Sequence, residues 1–164
     1  MKLSRYFAIL AVVLSASFAL AGSDAQKSFD ALTALEGNWE GKNSQGQTIK
    51  VSFRSTAGGS ALMSEILGTG PENMISMFHM DGDRLLMTHY CGAGNQPRMK
   101  AILAPDGKSV SFDFIDATNL SSPEAGHMQH VVFSMPDVDH HTEDWTFLDH
   151  GKEMKQLFTL QRSK

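Results

Sequence analysis

The side chains with the greatest chemical potential lie in the last third of the sequence, where histidines and a glutamate fall on two neighbouring predicted strands. If residues 135–138 form the turn and Ser134 faces Asp139, His130 lies directly opposite Glu143. A buried His–Glu pair could orient a polar ligand, hold a metal ion together with His89, act as a base, or be a purely structural pair. The face that the pair shares is rich in apolar residues and is predicted to point inward, with Met128, Val132, His141, Trp145 and Phe147.

A second predicted hairpin places another histidine on an apolar face. The Asp81-Gly82-Asp83 segment is typical of a tight turn, and if residues 81–84 form the loop then Met80 faces Leu85. The face that includes this pair is somewhat more apolar than the opposite one. We therefore expect it to point inward, carrying Ser76, Phe78, Met80, Leu85, Met87, His89 and Cys91.

The sequence lacks the short motifs that most often indicate metal binding or nucleophilic catalysis. It contains no HExxH, no CxxC and no G-x-S-x-G segment. No metal site is therefore predicted, and if an ion binds, the candidate ligands are His89, Cys91, His130 and His141. No catalytic triad can be derived from the spacing either, so a protein without enzymatic activity is favoured.

Composition and charge exclude several classes of protein. The chain has 164 residues, of which 41% are apolar, and 14 basic against 18 acidic residues give a net charge of -4. This apolar fraction is too high for a disordered chain, and the negative charge argues against a nucleic-acid partner. A single cysteine excludes a disulfide framework, and ten methionines are compatible with an adaptable apolar interior.

The N-terminal segment has the layout of a secretory signal peptide. Lys2 and Arg5 precede an apolar run over residues 7–20, which ends in Ala19-Leu20-Ala21. The run is shorter than the ~20 residues that a membrane span needs. We therefore predict a signal peptide over 1–21, a single mature domain over 22–164 without a membrane span, and export to the bacterial periplasm or the medium.

The rest of the sequence predicts one short helix followed by about ten strands. Residues 24–36 place Phe29, Leu32 and Leu35 on one helical stripe. From Gly37 onward, short alternating runs are separated by turn residues every 8–12 positions, which is typical of a sandwich or barrel. Because almost every connection has the length of a hairpin, we predict an all-β, up-and-down antiparallel barrel, which leaves no exposed sheet edge.

A helix followed by Gly37-Asn38-Trp39 and a run of hairpins resembles the calycin group of barrels, which includes lipocalins, fatty-acid-binding proteins and nitrobindin-like proteins. The resemblance implies that Trp39 plugs the barrel floor and that Arg162 packs over its ring. In nitrobindin-like proteins the haem-binding histidine lies near the C-terminus, where this sequence offers only His150, in a predicted turn.

Other segments are similar to a narrower group, a DUF1579-like family of exported bacterial proteins of unknown function. The similarity rests on residues 87–91 and 94–99, together with the later Asp137-Val138-Asp139-His140 and Trp145. This family implies a fold and brings no activity with it.

Three functional hypotheses result. The first is an exported barrel that holds a small apolar or amphipathic molecule in its lumen, oriented by His89, His130 and Glu143. Arg98 could meet a ligand carboxylate at the mouth, and apolar contact would come from Phe78, Met87, Phe112, Trp145 and Phe147. The second is a metal- or haem-dependent enzyme in the same barrel, and the third is a structural or partner-binding barrel with a filled lumen. The oligomeric state and the role of Cys91 are left open.

Overall fold

The computed structural model describes residues 22–68 and 73–164. The predicted signal peptide, residues 1–21, lies outside the described residues. In the described part of the chain, no helix has the length and apolar character needed to cross a membrane.

In the described part of the chain, the first element is the helix α1, Asp24–Thr33, which begins after the capping residue Ser23. The Ser23 hydroxyl accepts a hydrogen bond from the Gln26 amide at 3.2 Å, and Asp24 places an acidic side chain in the first turn. Phe29 and Leu32 are buried against the rest of the protein. The helix ends three residues before the predicted limit, because residues 34–36 form the turn into the first strand.

Ten strands follow, and a short 3-10 turn over Ala57–Gly59 interrupts the second connection. The strands are β1 Gly37–Asn43, β2 Thr48–Thr56, β3 Ala61–Leu67, β4 Met74–Asp81, β5 Arg84–Tyr90, β6 Gln96–Leu103, β7 Ser109–Thr118, β8 His127–Ser134, β9 His140–Asp149 and β10 Lys152–Arg162.

Each strand pairs antiparallel with its neighbours in sequence, and the first strand also pairs with the last. The strand order around the sheet is therefore β1-β10-β9-β8-β7-β6-β5-β4-β3-β2, which closes a barrel. The closing pair aligns Trp39 with Arg162 and Gly41 with Leu160. The predicted all-β, up-and-down antiparallel barrel of about ten strands is confirmed.

The predicted register of the β4–β5 hairpin is confirmed as well. Met80 pairs with Leu85, Phe78 with Met87, and Ser76 with His89. Of this predicted inner face, Met80 and Cys91 are half-buried, and the other members are at most 1% exposed: Ser76, Phe78, Leu85, Met87 and His89. The inner face was therefore correctly identified here.

The predicted register of the β8–β9 hairpin was wrong. Ser134 pairs with Thr142 rather than Asp139, so that Phe133 and not His130 lies opposite Glu143. The connection is longer than assumed, and a shift by an odd number of residues exchanges the faces of a strand. An irregularity between Met128 and His130 moves the register once more. The inner residues of β8 are consequently Val131 and Phe133, while Val132 and His130 point outward.

The two ends of the barrel differ. At one end, which we call the floor, α1 packs against β4, β5 and β6 and covers the interior. At the other end, which we call the loop end, lie the connections 44–47, 91–95, 119–126 and 150–151, together with the end of β3 and the start of β4. Between the ends the inner side chains form one continuous apolar core, to which most strands contribute.

Candidate functional site

The floor is closed by the tryptophan and arginine that the family resemblance suggested. The Trp39 indole N–H donates to the Leu35 carbonyl at 2.7 Å, and the Arg162 guanidinium lies 4.2 Å from the centre of the indole ring. The guanidinium also donates to the backbone carbonyls of Ala34, Glu36 and Val138 at 2.6–3.0 Å. Arg162 therefore ties the helix, the β8–β9 loop and the indole together through a planar fork that a lysine could not reproduce.

Above the floor, the barrel interior contains a buried polar cluster, which comprises Ser76, His89, His141, Glu143 and Trp145. Alternation on β9 places residues 141, 143 and 145 on one inner face. Each of the five side chains is at most 3% exposed. Such groups are costly to bury unless they are hydrogen-bonded, so their partners determine what the cluster can do.

Glu143 is held by two neighbours on its own strand. The Trp145 indole N–H donates to Oε2 at 2.8 Å, and His141 Nε2 lies 3.2 Å from Oε1. His141 in turn packs edge-on against Trp39, with ring centres 4.3 Å apart. The glutamate is thus paired with a histidine as predicted, but that histidine is His141 and not His130. The other ring nitrogen of His141, Nδ1, has no hydrogen-bond partner among the described residues.

His89 occupies the opposite side of the cluster. Its Nδ1 lies 2.9 Å from the Ser76 hydroxyl, and its ring centre lies 5.0 Å from that of Trp145. Nε2 is fully buried and has no hydrogen-bond partner in the described part of the chain. Burial lowers the pKa of His89 to about 4, because desolvation disfavours the imidazolium. His89 is therefore neutral at pH 7.

Hydrogen-bond satisfaction favours one tautomer of His89. If Nδ1–H donated to Ser76, the buried serine hydroxyl would lack an acceptor, since His89 is its one partner among the described residues. If Ser76 instead donates to Nδ1, the serine is satisfied and the proton resides on Nε2. The cluster then presents one neutral N–H donor without an acceptor, in an apolar environment that makes an unsatisfied donor costly.

Of the other residues predicted to contact a ligand, some lie in the barrel core and one lies at the loop end. Phe78, Met87 and Phe112 are fully buried in the core, as expected for inner residues. Phe147 is half-buried at the loop end, where its ring lies against Gly126. Cys91 is half-buried near the same end, and burial raises the pKa of its thiol.

His130, which was predicted to face the lumen, and Arg98, which was predicted at the barrel mouth, both lie on the outer surface. His130 points outward and its Nδ1 lies 2.7 Å from the Asp113 carboxylate. The exposed Arg98 guanidinium donates to the Asp116 carboxylate across the β6–β7 pair, with Nε 2.6 Å from Oδ1. Both side chains have their partners on the outer surface, so neither joins the buried cluster.

The four side chains named as possible metal ligands, His89, Cys91, His130 and His141, do not converge on one point. Within 22–68 and 73–164, no group of three or more histidine, cysteine, aspartate or glutamate side chains is arranged to hold a metal ion. His130 lies on the outer surface, whereas His141 is occupied by Glu143 inside the barrel.

The loop end carries one further buried polar group, whose burial the sequence did not indicate. Asn95 is 3% exposed, and its Nδ2 donates to the Gly126 carbonyl at 2.7 Å, whereas its Oδ1 has no partner among the described residues. It follows a turn at Gly92–Gly94, and nothing in its local sequence distinguishes it from an exposed loop residue.

Comparisons with known proteins support the fold. The sequence matches no protein-family model and no curated protein. Among solved structures, Rv2717c from M. tuberculosis is 15% identical, with a TM-score of 0.57, and the match covers 84% of this chain and 98% of that one. A protein of unknown function from the DUF3598 family of Nostoc punctiforme is 12% identical, with a TM-score of 0.55. That match covers 80% of this chain and about half (49%) of the longer one. At these identities the likeness concerns the barrel fold alone, and similarity to the DUF1579-like family stays a prediction.

Proposed function

We propose that the protein is an exported, calycin-like barrel that binds a small, mainly apolar molecule in its lumen and orients it through His89. The observation that carries the proposal is the Nε2 atom of His89, a buried nitrogen without a partner among the described residues. A folded chain gains nothing from burying such a group in an apolar core, whereas a ligand atom that accepts its proton would compensate the cost.

The chemistry of this donor restricts the ligand. Because the favoured tautomer offers N–H, the ligand carries a hydrogen-bond acceptor such as a ketone, ester or amide carbonyl. Because His89 is neutral, a carboxylate would enter the barrel without a compensating charge. The same tautomer has no free lone pair at Nε2, so it argues against the alternative of a metal- or haem-dependent enzyme using this nitrogen.

Entry from the loop end is consistent with the exposure of the inner residues. The floor is covered by α1 and by the Trp39–Arg162 stack. Toward the loop end, Met74, Cys91 and Met128 are half-buried rather than fully buried. Methionine side chains repack at low cost, so the upper core can adapt to an apolar guest.

The experiment compares three probes with the same chain length: decan-2-one, decane and decanoate. Native mass spectrometry and NMR titration of purified residues 22–164 measure their dissociation constants. One buried hydrogen bond contributes about 1 kcal/mol, so decan-2-one is expected to bind about 5-fold more tightly than decane, and decanoate more weakly than decan-2-one.

A matched pair of variants tests the role of the imidazole. His89→Asn retains a partner for Ser76 but cannot reach the position of Nε2, so the preference for the ketone over the alkane should disappear. His140→Asn removes an exposed histidine and should preserve that preference. Absence of binding by all three probes would support the filled barrel instead, and a haem Soret band on reconstitution would support the enzyme hypothesis.

A further inference from the structure

A second candidate site lies at the loop end, outside the barrel core. A hollow of about 450 Å³ opens between the β5–β6 loop, the β7–β8 loop and the end of β9. Its lining includes Asn95, Asn119, Ser121, Gly126, Phe147 and Asp149. None of these residues belongs to the buried polar cluster, so the polar groups of the hollow are distinct from those of the proposed lumen site, although Phe147 was also predicted to contact a lumen ligand.

The walls of the hollow are fixed to one another. Asn95 Nδ2 donates to the Gly126 carbonyl at 2.7 Å, and Asn119 Nδ2 donates to the Gly94 carbonyl at 2.6 Å. These two bonds run in opposite directions between the β5–β6 and β7–β8 loops. A third bond, from the His150 amide to the Glu124 carbonyl at 3.0 Å, joins the β7–β8 loop to the β9–β10 turn. The hollow is therefore preformed, which lowers the entropic cost of binding.

Two side chains of the lining, Asn95 and Asp149, carry acceptor oxygens whose hydrogen-bonding capacity is not filled. Asn95 is 3% exposed, and its Oδ1 has no partner among the described residues. Asp149 Oδ1 lies 2.7 Å from His150 Nδ1, which leaves Oδ2 for a ligand. The described residues that line the hollow include neither lysine nor arginine. A ligand that fits this lining brings N–H donors and a positive charge.

The apolar part of the lining comes from an aromatic ring. Phe147 lines the hollow, and Gly126 leaves the space that its ring occupies, because a Cβ at position 126 would lie 2.6 Å from Phe147 Cζ. An aromatic face beside a carboxylate suits an organic cation. A calcium ion fits less well, since it takes 6–8 oxygen ligands and Asp149 is the one carboxylate in this lining.

We propose that this hollow binds the ammonium group of a primary amine, with Asp149 supplying the charge and Asn95 Oδ1 accepting an N–H bond. The ring of Phe147 covers the adjoining carbon atoms of the ligand. Ser121, exposed on the β7–β8 loop, offers a further hydroxyl oxygen at the rim.

The test compares benzylammonium with benzyl alcohol, two probes of nearly the same shape that differ in charge. Binding is followed at pH 7 and low salt through the amide NMR signals of Gly94, Asn95 and Gly126. Benzylammonium is expected to bind at least 5-fold more tightly than the alcohol. Equal affinities, or shifts of these amides by calcium chloride but not by benzylammonium, would overturn the proposal.

Variants separate this site from the lumen and from general charge effects. Asp149→Asn should remove the preference for benzylammonium while leaving the binding of decan-2-one unchanged. Asp83→Asn makes the same charge change in the exposed β4–β5 turn at the floor and should retain the preference. Gly126→Ala should weaken the binding of both benzylammonium and benzyl alcohol, because the ring of Phe147 must move. If Asp149→Asn binds benzylammonium as tightly as the unaltered protein does, the assignment of the charge is wrong.

Discussion

At the residue scale, His89 shows how burial converts an ordinary side chain into a specific hydrogen-bond donor. The barrel removes water from the imidazole, and the Ser76 hydroxyl then determines which ring nitrogen carries the proton. Neither effect depends on a charged neighbour. A histidine of this kind is suited to recognising a neutral acceptor.

The lowered pKa of His89 predicts a loss of stability in acid. In the unfolded chain the imidazole titrates near 6.5, and in the folded protein near 4. Between these values the unfolded state binds a proton that the folded state does not, so stability falls as the pH falls from about 6.5 to about 4. The full effect of this group is about 3 kcal/mol, and no further loss arises from it at lower pH.

Urea unfolding at a series of pH values measures this effect. The His89→Asn variant should lack the part of the pH dependence that falls between 4 and 6.5, whereas His140→Asn, altered at an exposed position, should retain it. Identical pH profiles for the unaltered protein and His89→Asn would show that the buried ring is protonated in the folded state as readily as in the unfolded one.

At the element scale, the contact between β1 and β10 depends on one glycine. A Cβ built at Gly41 would lie 1.8 Å from the Thr159 carbonyl oxygen and 3.0 Å from Leu160 Cα. Both of these atoms belong to the backbone of the neighbouring strand, so a side chain at this position forces the two strands apart.

We predict that Gly41→Ala destabilises the protein by about 3 kcal/mol, at the upper end of the cost of overpacking, because a strand and not a side chain must move. Thermal or urea unfolding measures the change. Gly92→Ala is the matched control, since a Cβ at that loop position meets no atom within 4 Å and its φ is not in the left-handed region. A Gly41→Ala protein as stable as the control would mean that the closing strands are not in contact as described.

Two hairpins show which parts of the arrangement could be predicted from sequence. The β4–β5 turn is short and contains Asp81-Gly82-Asp83, so the turn itself determines the register, and the inner position of His89 follows. The β8–β9 connection lacks such a signal, and the adjacent Val131 and Val132 give β8 no clean alternation. The inner face of β9 was nevertheless identified correctly, because its residues alternate clearly.

The register of the β8–β9 hairpin explains why His130 was wrongly predicted to face the lumen. A register change of three residues, combined with an irregularity inside β8, places this histidine beside Asp113 on the outer surface. Long-range contacts decide such details, and the local pattern of a single strand does not contain them. The pairing of Asn95 with Gly126 was unpredictable for the same reason, since 31 residues separate the two.

At the scale of the whole molecule, barrel closure predicts uniform protection of the sheet. Because β1 and β10 pair with each other, every strand has two neighbours and the barrel has no exposed edge. The amides of the β1–β10 pair should therefore exchange with solvent as slowly as those of the β4–β5 hairpin, in contrast to those of α1, which packs on one side only.

Native-state hydrogen exchange followed by NMR measures these rates. Protection of residues 39–43 and 158–162 that is similar to that of 75–81 would support a barrel that opens only by global unfolding. Exchange at the β1–β10 pair that is many-fold faster than at the hairpin would indicate that this pair separates locally and that the barrel is closed only part of the time.

The position of Arg162 also determines when the protein can fold during synthesis. Its guanidinium covers an indole that is made more than a hundred residues earlier, and β1 has no partner on one side until β10 exists. A nascent chain whose last strand is still within the ribosome therefore has an unsealed floor, and β1 and β9 each lack one neighbouring strand. Closure of the barrel therefore waits until β10 and Arg162 have left the ribosome.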